Sequence, residues 1–309
     1  MLRLLRRGGP TGLAAWARPL RRLLAWAGAL LVGAPLWAAP IALVDDRGHH
    51  LTLDAPAQRV VSLLPSLTET VCALSACNRL VGVDRFSNWP VTVRSLPRLG
   101  GLEDTQIERI VSLKPDLVLV AVSARAADRL EALGLKVLAL EPKNLAQTRQ
   151  VLHTVALALG RPEQAEPLWA HLDGRIQAAA ARVPPAWRGQ RVYFEVSSAP
   201  YAAGEASFVG ELLGRLGLGN VVPAAMGPFP KLNPEFVVRA QPGLLMASKR
   251  NLAEMPGRPG WAAITALRQR RSCGFTEAQG DLLARPGPRL AEGAELIVDC
   301  LVGLAGAKP

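Results

Sequence analysis

The chain has 309 residues, half of them apolar and one fifth charged, with a formal net charge of +11. The basic excess does not mark a nucleic-acid binder: six of the thirty-six Lys and Arg residues precede Leu23, none of the twenty-five acidic residues precedes Asp45, and no basic run with interleaved aromatics follows. Without the first 38 residues, thirty basic groups face twenty-five acidic ones, a charge of +5, and about 270 residues remain to bury one large core or two ordinary ones.

Arg3, Arg6, Arg7, Arg18, Arg21 and Arg22 lead into an apolar run from Leu23 to Trp37, interrupted by Gly28 and Gly33 and ending on Ala38 and Ala39. That order reads as a secretory signal peptide over residues 1–38, cleaved near Ala38 or Ala39, and the run is short for a membrane span. No cysteine follows it to carry a lipid anchor, and Arg21-Arg22 matches a twin-arginine signal only weakly. Next, IALVDDRGHHLTL (41–53) sets two apolar runs around an Asp-Asp-Arg-Gly turn, the pattern of a β-hairpin. RVVSLL (59–64) reads as a strand, followed by a helix from about Ser66 to Ala76 whose start Ser66 and Glu69 mark as a capping box. Strands at 80–83, 116–122 and 136–140 alternate with helical stretches, the last at 126–134, which predicts a parallel sheet.

From 145 to about 183 the pattern is helical without strands. Leu145, Thr148, Leu152, Val155 and Leu159 recur at helical spacing, and Ala165, Trp169, Leu172, Ile176, Ala179 and Val183 continue it. Pro162 suits a first helical position. Pro167, as an interior proline costing about 3 kcal/mol, predicts a restart there, leaving roughly 24 Å of helix to Arg182. The second half offers a strand at 191–196, a helix at 208–217 stopped by Gly214, Gly217 and Gly219, a helix and strand at 233–247, and a last helix from about Leu290 to Leu304. Loops rich in Pro, Gly and aromatics occupy 85–90, 197–208 and 225–234. In parallel α/β sheets ligands sit where such loops gather at the strand ends, so a cleft between the halves is the expected site.

The fifteen residues QIERIVSLKPDLVLV (106–120) reappear, degenerate but in register, as NPEFVVRAQPGLLMA (233–247). Each copy sets a carboxylate, Glu108 or Glu235, seven residues ahead of a proline, Pro115 or Pro242, which an apolar run follows at once. The matched order predicts two similar lobes, although any helix, turn and buried strand can converge on it.

Cys72, Cys77, Cys273 and Cys300 are spaced for neither a zinc ribbon nor a Cys-x-x-Cys redox pair. In an exported chain disulfides are permitted. Of the three pairings, locality favours Cys72–Cys77 with Cys273–Cys300; buried free thiols are the alternative. His49, His50, His153 and His171 form no His-x-x-x-His pair and no zinc-like cluster, and the chain lacks a Gly-x-Ser-x-Gly elbow and a phosphate loop. No catalytic residue and no metal site is expected. The competing class, an exported α/β hydrolase or transferase, would need a nucleophile and a base converging in the cleft.

RVVSLLPSLTETVCAL (59–74), LVGVDRFSNWP (80–90), LPRLGG (96–101), IERIVSLKPDLVLV (107–120) and ARPGPR (284–289) resemble the exported substrate-binding proteins of bacterial ABC importers for cobalamin, haem and iron siderophores, nearest to the cobalamin binders. The similarity covers essentially everything after residue 38 and is densest from Arg59 to Leu140. It implies a class III architecture: two Rossmann-like α/β lobes joined by a single long rigid α-helix, with lobes over 39–144 and 187–309 and a helical connector over 145–186. It further implies a periplasmic protein, monomeric when free, that performs no reaction, carries no cofactor and hands a small-molecule cargo to an inner-membrane ABC permease dimer. In that family a glutamate at the tip of each lobe meets permease arginines, and Glu108 and Glu235 match those positions; a helix N-terminus also favours first-turn glutamates by itself.

For the ligand face the resemblance implies Phe86, Trp89 and Phe229 in the cleft, with Tyr201 and Arg285 beside them, gripping a broad macrocycle from both sides. Core packing is the alternative for each ring. The cobalamin pattern places a tryptophan near Leu99-Gly100-Gly101, and this chain has none there. The expected cargo is a corrinoid. A haem binder would need an axial ligand such as Tyr201 or a histidine facing the cleft, and a ferric-siderophore binder several basic groups there.

Overall fold

The computed structural model describes residues 39–198 and 200–306. The expected signal peptide and its cleavage lie outside them. Among the described residues no helix is long and apolar enough to cross a membrane.

β1 (Ile41–Val44) and β2 (His50–Leu53) form the antiparallel hairpin, Ile41 opposite Leu53. The first lobe continues as β3 (Val60–Ser62), α1 (Pro65–Ala73), β4 (Leu80–Val83), α2 (Ile107–Ser112), β5 (Leu117–Val120), α3 (Ala127–Ala132) and β6 (Val137–Ala139). Its four strands are all parallel, in the order β4-β3-β5-β6. Every residue of β3, β5 and β6 is buried, as their unbroken apolar runs require in a parallel sheet covered on both faces. The chain then passes through α4 (Leu145–Ala158) and α5 (Pro162–Ala181) into the second lobe.

That lobe is built from β7 (Arg191–Ser197), β8 (Tyr201–Ala202), α6 (Phe208–Arg215), β9 (Gly219–Asn220), α7 (Pro234–Ala240), β10 (Leu244–Ser248), α8 (Lys249–Glu254), α9 (Thr265–Arg268), β11 (Ser272–Phe275), α10 (Glu277–Leu283) and α11 (Leu290–Gly306). β7, β10 and β11 are parallel in the order β11-β10-β7, with β8 antiparallel and β9 parallel on β7. One buried cluster runs through both lobes. It joins Leu138 and Leu140 of the first to Val192, Leu244 and Met246 of the second through Leu172 and Ile176 of α5 and Ile297 and Leu301 of α11. Arg175 of α5 clamps Glu295 of α11 bidentately at 3.0 and 2.7 Å, and Trp187, in the turn beyond α5, donates to the Leu301 carbonyl at 2.9 Å, so α11 is braced against α5 and the segment that follows it. Cys273 bonded to Cys300 ties β11 to α11, and Cys72 is bonded to Cys77. The 27-residue separation of the first pair makes it worth roughly 3–4 kcal/mol of unfolded-state entropy.

α1 does not begin on a capping box. Pro65 takes the first helical position, Leu64 caps it without a side-chain bond, and Ser66 and Glu69 are both buried. The helix also stops at Ala73 rather than Ala76, because Ser75 turns left-handed (φ 56) inside the loop that the Cys72–Cys77 bond closes. Nor does α5 restart at Pro167, which lies within one unbroken helix. The hydrogen bond lost there frees the carbonyl of Glu163, an exposed first-turn residue that water can serve. The full twenty residues span about 30 Å.

The internal echo is a structural repeat. α2 with β5, and α7 with β10, are each joined by a left-handed residue, Lys114 (φ 48) or Gln241 (φ 42), immediately before Pro115 or Pro242. Ile110 and Val237 occupy the same place in each copy and are fully buried. A non-glycine residue at positive φ costs about 1 kcal/mol. Gln241 recovers this by donating to the Val238 carbonyl at 2.8 Å and accepting from Thr265 N and Oγ1 at 3.2 and 3.1 Å, whereas Lys114 is exposed. Lys114→Gly is therefore expected to stabilise by up to about 1 kcal/mol, and Gln241→Gly to destabilise. Urea unfolding of the two variants should show opposite signs.

Candidate ligand cleft

The loops at the carboxyl ends of the parallel strands carry an unusual share of bare apolar side chains. Phe86 and Trp89 follow β4 and Val122 follows β5 in the first lobe; Val196 is near the end of β7 in the second, followed by Tyr201 and Met226, and all are exposed. Such loops are where open α/β sheets bind ligands.

The loop after β4 is held from below. Asp84 is buried, and its carboxylate accepts from the backbone N–H of Phe86 at 2.7 Å and from the Ser87 hydroxyl. Ser87 continues through Thr68 to Ser62 by hydroxyl contacts of 2.8 Å each. Burial pushes the Asp84 carboxyl above its ordinary range, against the Ser87 and Phe86 bonds that favour its charge. Arg98 adds bonds to the carbonyls of Asp84 and Ser87 at 3.1 and 2.5 Å. Phe86 is left 58% exposed at the tip. Gly101 passes beneath it: a Cβ there would lie 3.2 Å from the Phe86 ring, and Gly100 needs both its positive φ (88) and its missing Cβ, which would strike the Asp104 carbonyl oxygen at 2.2 Å. The Gly-Gly pair thus supports the phenylalanine.

In the second lobe a groove of about 430 Å³ opens at the ends of β7, β10 and β11. Its apolar part includes Phe194 and Phe275, stacked with ring centres 6.2 Å apart, and Leu283. Ser197, Ser198, Ser248, Asn251, Glu277 and Asp281 supply its polar groups, and among the described residues no basic side chain lines it. Glu195, also at the groove, is fully partnered: Arg258 grips it at 2.5 and 2.9 Å and the Tyr193 hydroxyl donates to it at 2.8 Å. Burial, with the Glu195 charge beside it, pushes the Tyr193 hydroxyl far above its ordinary value, so it remains a donor.

The five side chains expected at the ligand do not all stand free. Phe86 is open. Trp89 is 44% exposed but has the Arg289 guanidinium 4.3 Å from its ring centre. Tyr201 is exposed on the short β8, and Phe229 is half-buried against Phe208, ring centres 5.7 Å apart. Arg285 is buried and engaged with Glu69, Asn88, Asp281 and the Phe86 carbonyl. None of the five lines the second-lobe groove. Glu69 itself is pushed up by burial, with the Arg285 bond opposing. Sequence reasoning missed Asp84, Asn88 and all of the groove beyond Ser197 and Ser198 of the 197–208 loop; the available signal was that Asp84 directly follows, and Ser248 ends, an apolar strand. Glu108 and Glu235 stand in the first turns of α2 and α7 with side chains 85% and 78% exposed, each only loosely approached by an arginine, Arg129 at 3.6 Å and Arg239 at 3.8 Å. The histidines lie elsewhere: His49 and His50 at the hairpin, His153 beside Glu166 at 3.1 Å.

The family model of the periplasmic binding proteins matches residues 60–274. An uncharacterised ABC transporter substrate-binding lipoprotein of Bacillus subtilis is 26% identical over 273 residues, 85% of each chain. The vitamin B12-binding protein of Yersinia pestis is 28% identical over 207 residues, 64% of this chain and 72% of that one. Among solved structures, a periplasmic haem-binding protein of Roseiflexus in its apo form aligns with a TM-score of 0.67 at 28% identity, over 81% of this chain and 99% of that one. With two α/β lobes joined through a long helix and a groove at their strand ends, the chain belongs to the periplasmic binding protein family, as a small-molecule-binding component of an ABC importer and not an enzyme.

Proposed function

We propose that this protein captures a corrinoid in the cleft between its lobes and delivers it to an inner-membrane permease dimer, acting as a periplasmic monomer after loss of residues 1–38. The observation that carries the cargo reading is the chemistry of the second-lobe groove. Its lining among the described residues is hydroxyl, amide and carboxylate over stacked phenylalanines, without a Lys or Arg. Such a wall suits a broad ligand edged with neutral amides, whose N–H groups donate to carboxylates and hydroxyls. It disfavours the carboxylates of haem and the anionic groups of a ferric siderophore, which would be desolvated there without a cation. The vitamin B12-binding relatives support the same choice. Phe86, Trp89 and Tyr201 would supply flat apolar area from the surrounding loops.

Glu108 and Glu235 we assign to docking. They occupy equivalent places in the two halves of the repeat, so a permease of two-fold symmetry would meet the same charge twice. Titrating the purified protein with cyanocobalamin, haem and a ferric siderophore by calorimetry and absorbance tests the cargo. The expected result is sub-micromolar binding of cyanocobalamin, about −8 kcal/mol or stronger, and weaker binding of the other two. Haem binding with the absorbance of a tyrosinate-ligated iron would instead favour a haem carrier using Tyr201.

A further inference from the structure

The segment Arg285-Pro286-Gly287-Pro288-Arg289 joins α10 to α11 in the second lobe, yet it lies against the first. A Cβ on Gly287 would come within 3.4 Å of the Ser66 carbonyl oxygen on α1, and Pro286 and Pro288 gather with Thr70 of α1, Thr148 of α4 and Trp169 of α5. From this strap the Arg285 guanidinium reaches four partners. Its Nη1 donates to Glu69 Oε1 and to Asn88 Oδ1, both at 2.8 Å; its Nη2 donates to the Phe86 carbonyl at 3.1 Å and to Asp281 at 2.9 Å. Asn88 closes the triangle by donating to the same Asp281 oxygen at 3.1 Å. Arg289, four residues on, covers the Trp89 ring and lies 3.7 Å from Glu69.

Three features set this apart from an ordinary ion pair. The Arg285 side chain is only 9% exposed and its contacts are spent inside the protein, so it cannot greet a cargo without breaking them. Two of the four bonds hold the loop that carries Phe86 and Trp89, one through the backbone and one through Asn88. Three of the four partners are 197 to 216 residues away on the other lobe, while Asp281 is on α10 of its own, and the planar five-donor fork fixes their relative placement as a lysine could not. The prolines flanking Gly287 restrict the strap that carries the fork.

We propose that Arg285 is a positioning residue, a pin through which the second lobe holds the 85–90 loop, so that the stance of Phe86 and Trp89 and the angle between the lobes are set together before cargo arrives. The role of the two rings rests on the cargo reading above; the pin does not. The test is the distance between nitroxide labels at Asp128→Cys in the first lobe and Arg250→Cys in the second, positions whose side chains are 92% and 87% exposed. The four described cysteines are paired, leaving the labels specific. Without ligand, the parent protein should give one narrow distance distribution, Arg285→Ala a distribution at least about twice as wide, and Arg285→Lys an intermediate one. A residue that only adds stability would lower the melting temperature and leave the native distribution unchanged. Cyanocobalamin affinity of Arg285→Ala should fall roughly tenfold, as if about a tenth of the molecules held the competent arrangement. Asn88→Ala, which removes one arm without stranding the buried Glu69, should widen the distribution in the same sense. Unchanged widths in the folded variants overturn the pin. Widening in a protein that does not bind cyanocobalamin supports the pin and rejects the corrinoid reading.

Discussion

Cells carrying Glu108→Arg together with Glu235→Arg should take up no cargo above background, while the purified variant binds that cargo as tightly as the parent. Both carboxylates stand free in first helical turns, with side chains 85% and 78% exposed and only long-range arginine contacts to lose, so reversal should leave folding within about 0.5 kcal/mol. At a docking surface the same change replaces attraction by like-charge repulsion, which costs several kcal/mol and corresponds to roughly a hundredfold or more in permease affinity. The single reversals should each give part of the loss, since they sit on different lobes and couple weakly. Transport assays with the permease in vesicles, run beside calorimetry on the soluble protein, separate the two effects. Unimpaired uptake would remove the docking role, and impaired ligand binding would move these residues from the docking surface to the cleft.

Phe86→Ala should weaken cargo binding by about 30-fold, close to 2 kcal/mol, the scale of an aromatic anchor at the centre of an interface. The ring is 58% exposed, so its loss leaves no cavity and should not shift the unfolding midpoint. Its stance is fixed beneath by Asp84, Arg98 and the Gly100-Gly101 turn. Gly101→Ala, which presses a methyl to within 3.2 Å of that ring, should reproduce a smaller part of the defect. Calorimetric titration of both variants checks the order; equal affinity of Phe86→Ala and parent would place the ring outside the contact surface.

Much of the scaffold was legible in the residues because each element obeys a local rule. The apolar runs of β3, β5 and β10 are buried throughout or nearly so, and the echo at 106–120 and 233–247 survived because helix, left-handed turn, proline and strand all constrain residue type. β11 escaped notice since only Cys273 and Phe275 of its four residues are buried, and β8 and β9 are two residues long. The errors at Ser66 and Glu69 arose from judging a helix start locally: Pro65 fixes the first turn, which frees Glu69 for a partner 216 residues away. Arg285 stood out in the ARPGPR segment for the same reason that its role was misjudged. Its type is a local fact, but its burial and three of its four partners belong to the tertiary fold, and they leave it a bond between lobes rather than an open donor. The second-lobe groove was invisible because its residues come from β7, β10, α8, β11 and α10, with no shared motif.

Crystals grown with cyanocobalamin carry their own label, since cobalt scatters anomalously. The account predicts a single cobalt peak per molecule between the loop bearing Phe86 and the groove lined by Ser248 and Glu277, with both lobes in contact with the macrocycle. A cobalt peak on an outer face, or fully formed crystals of the protein with none at all at saturating cyanocobalamin, would contradict it.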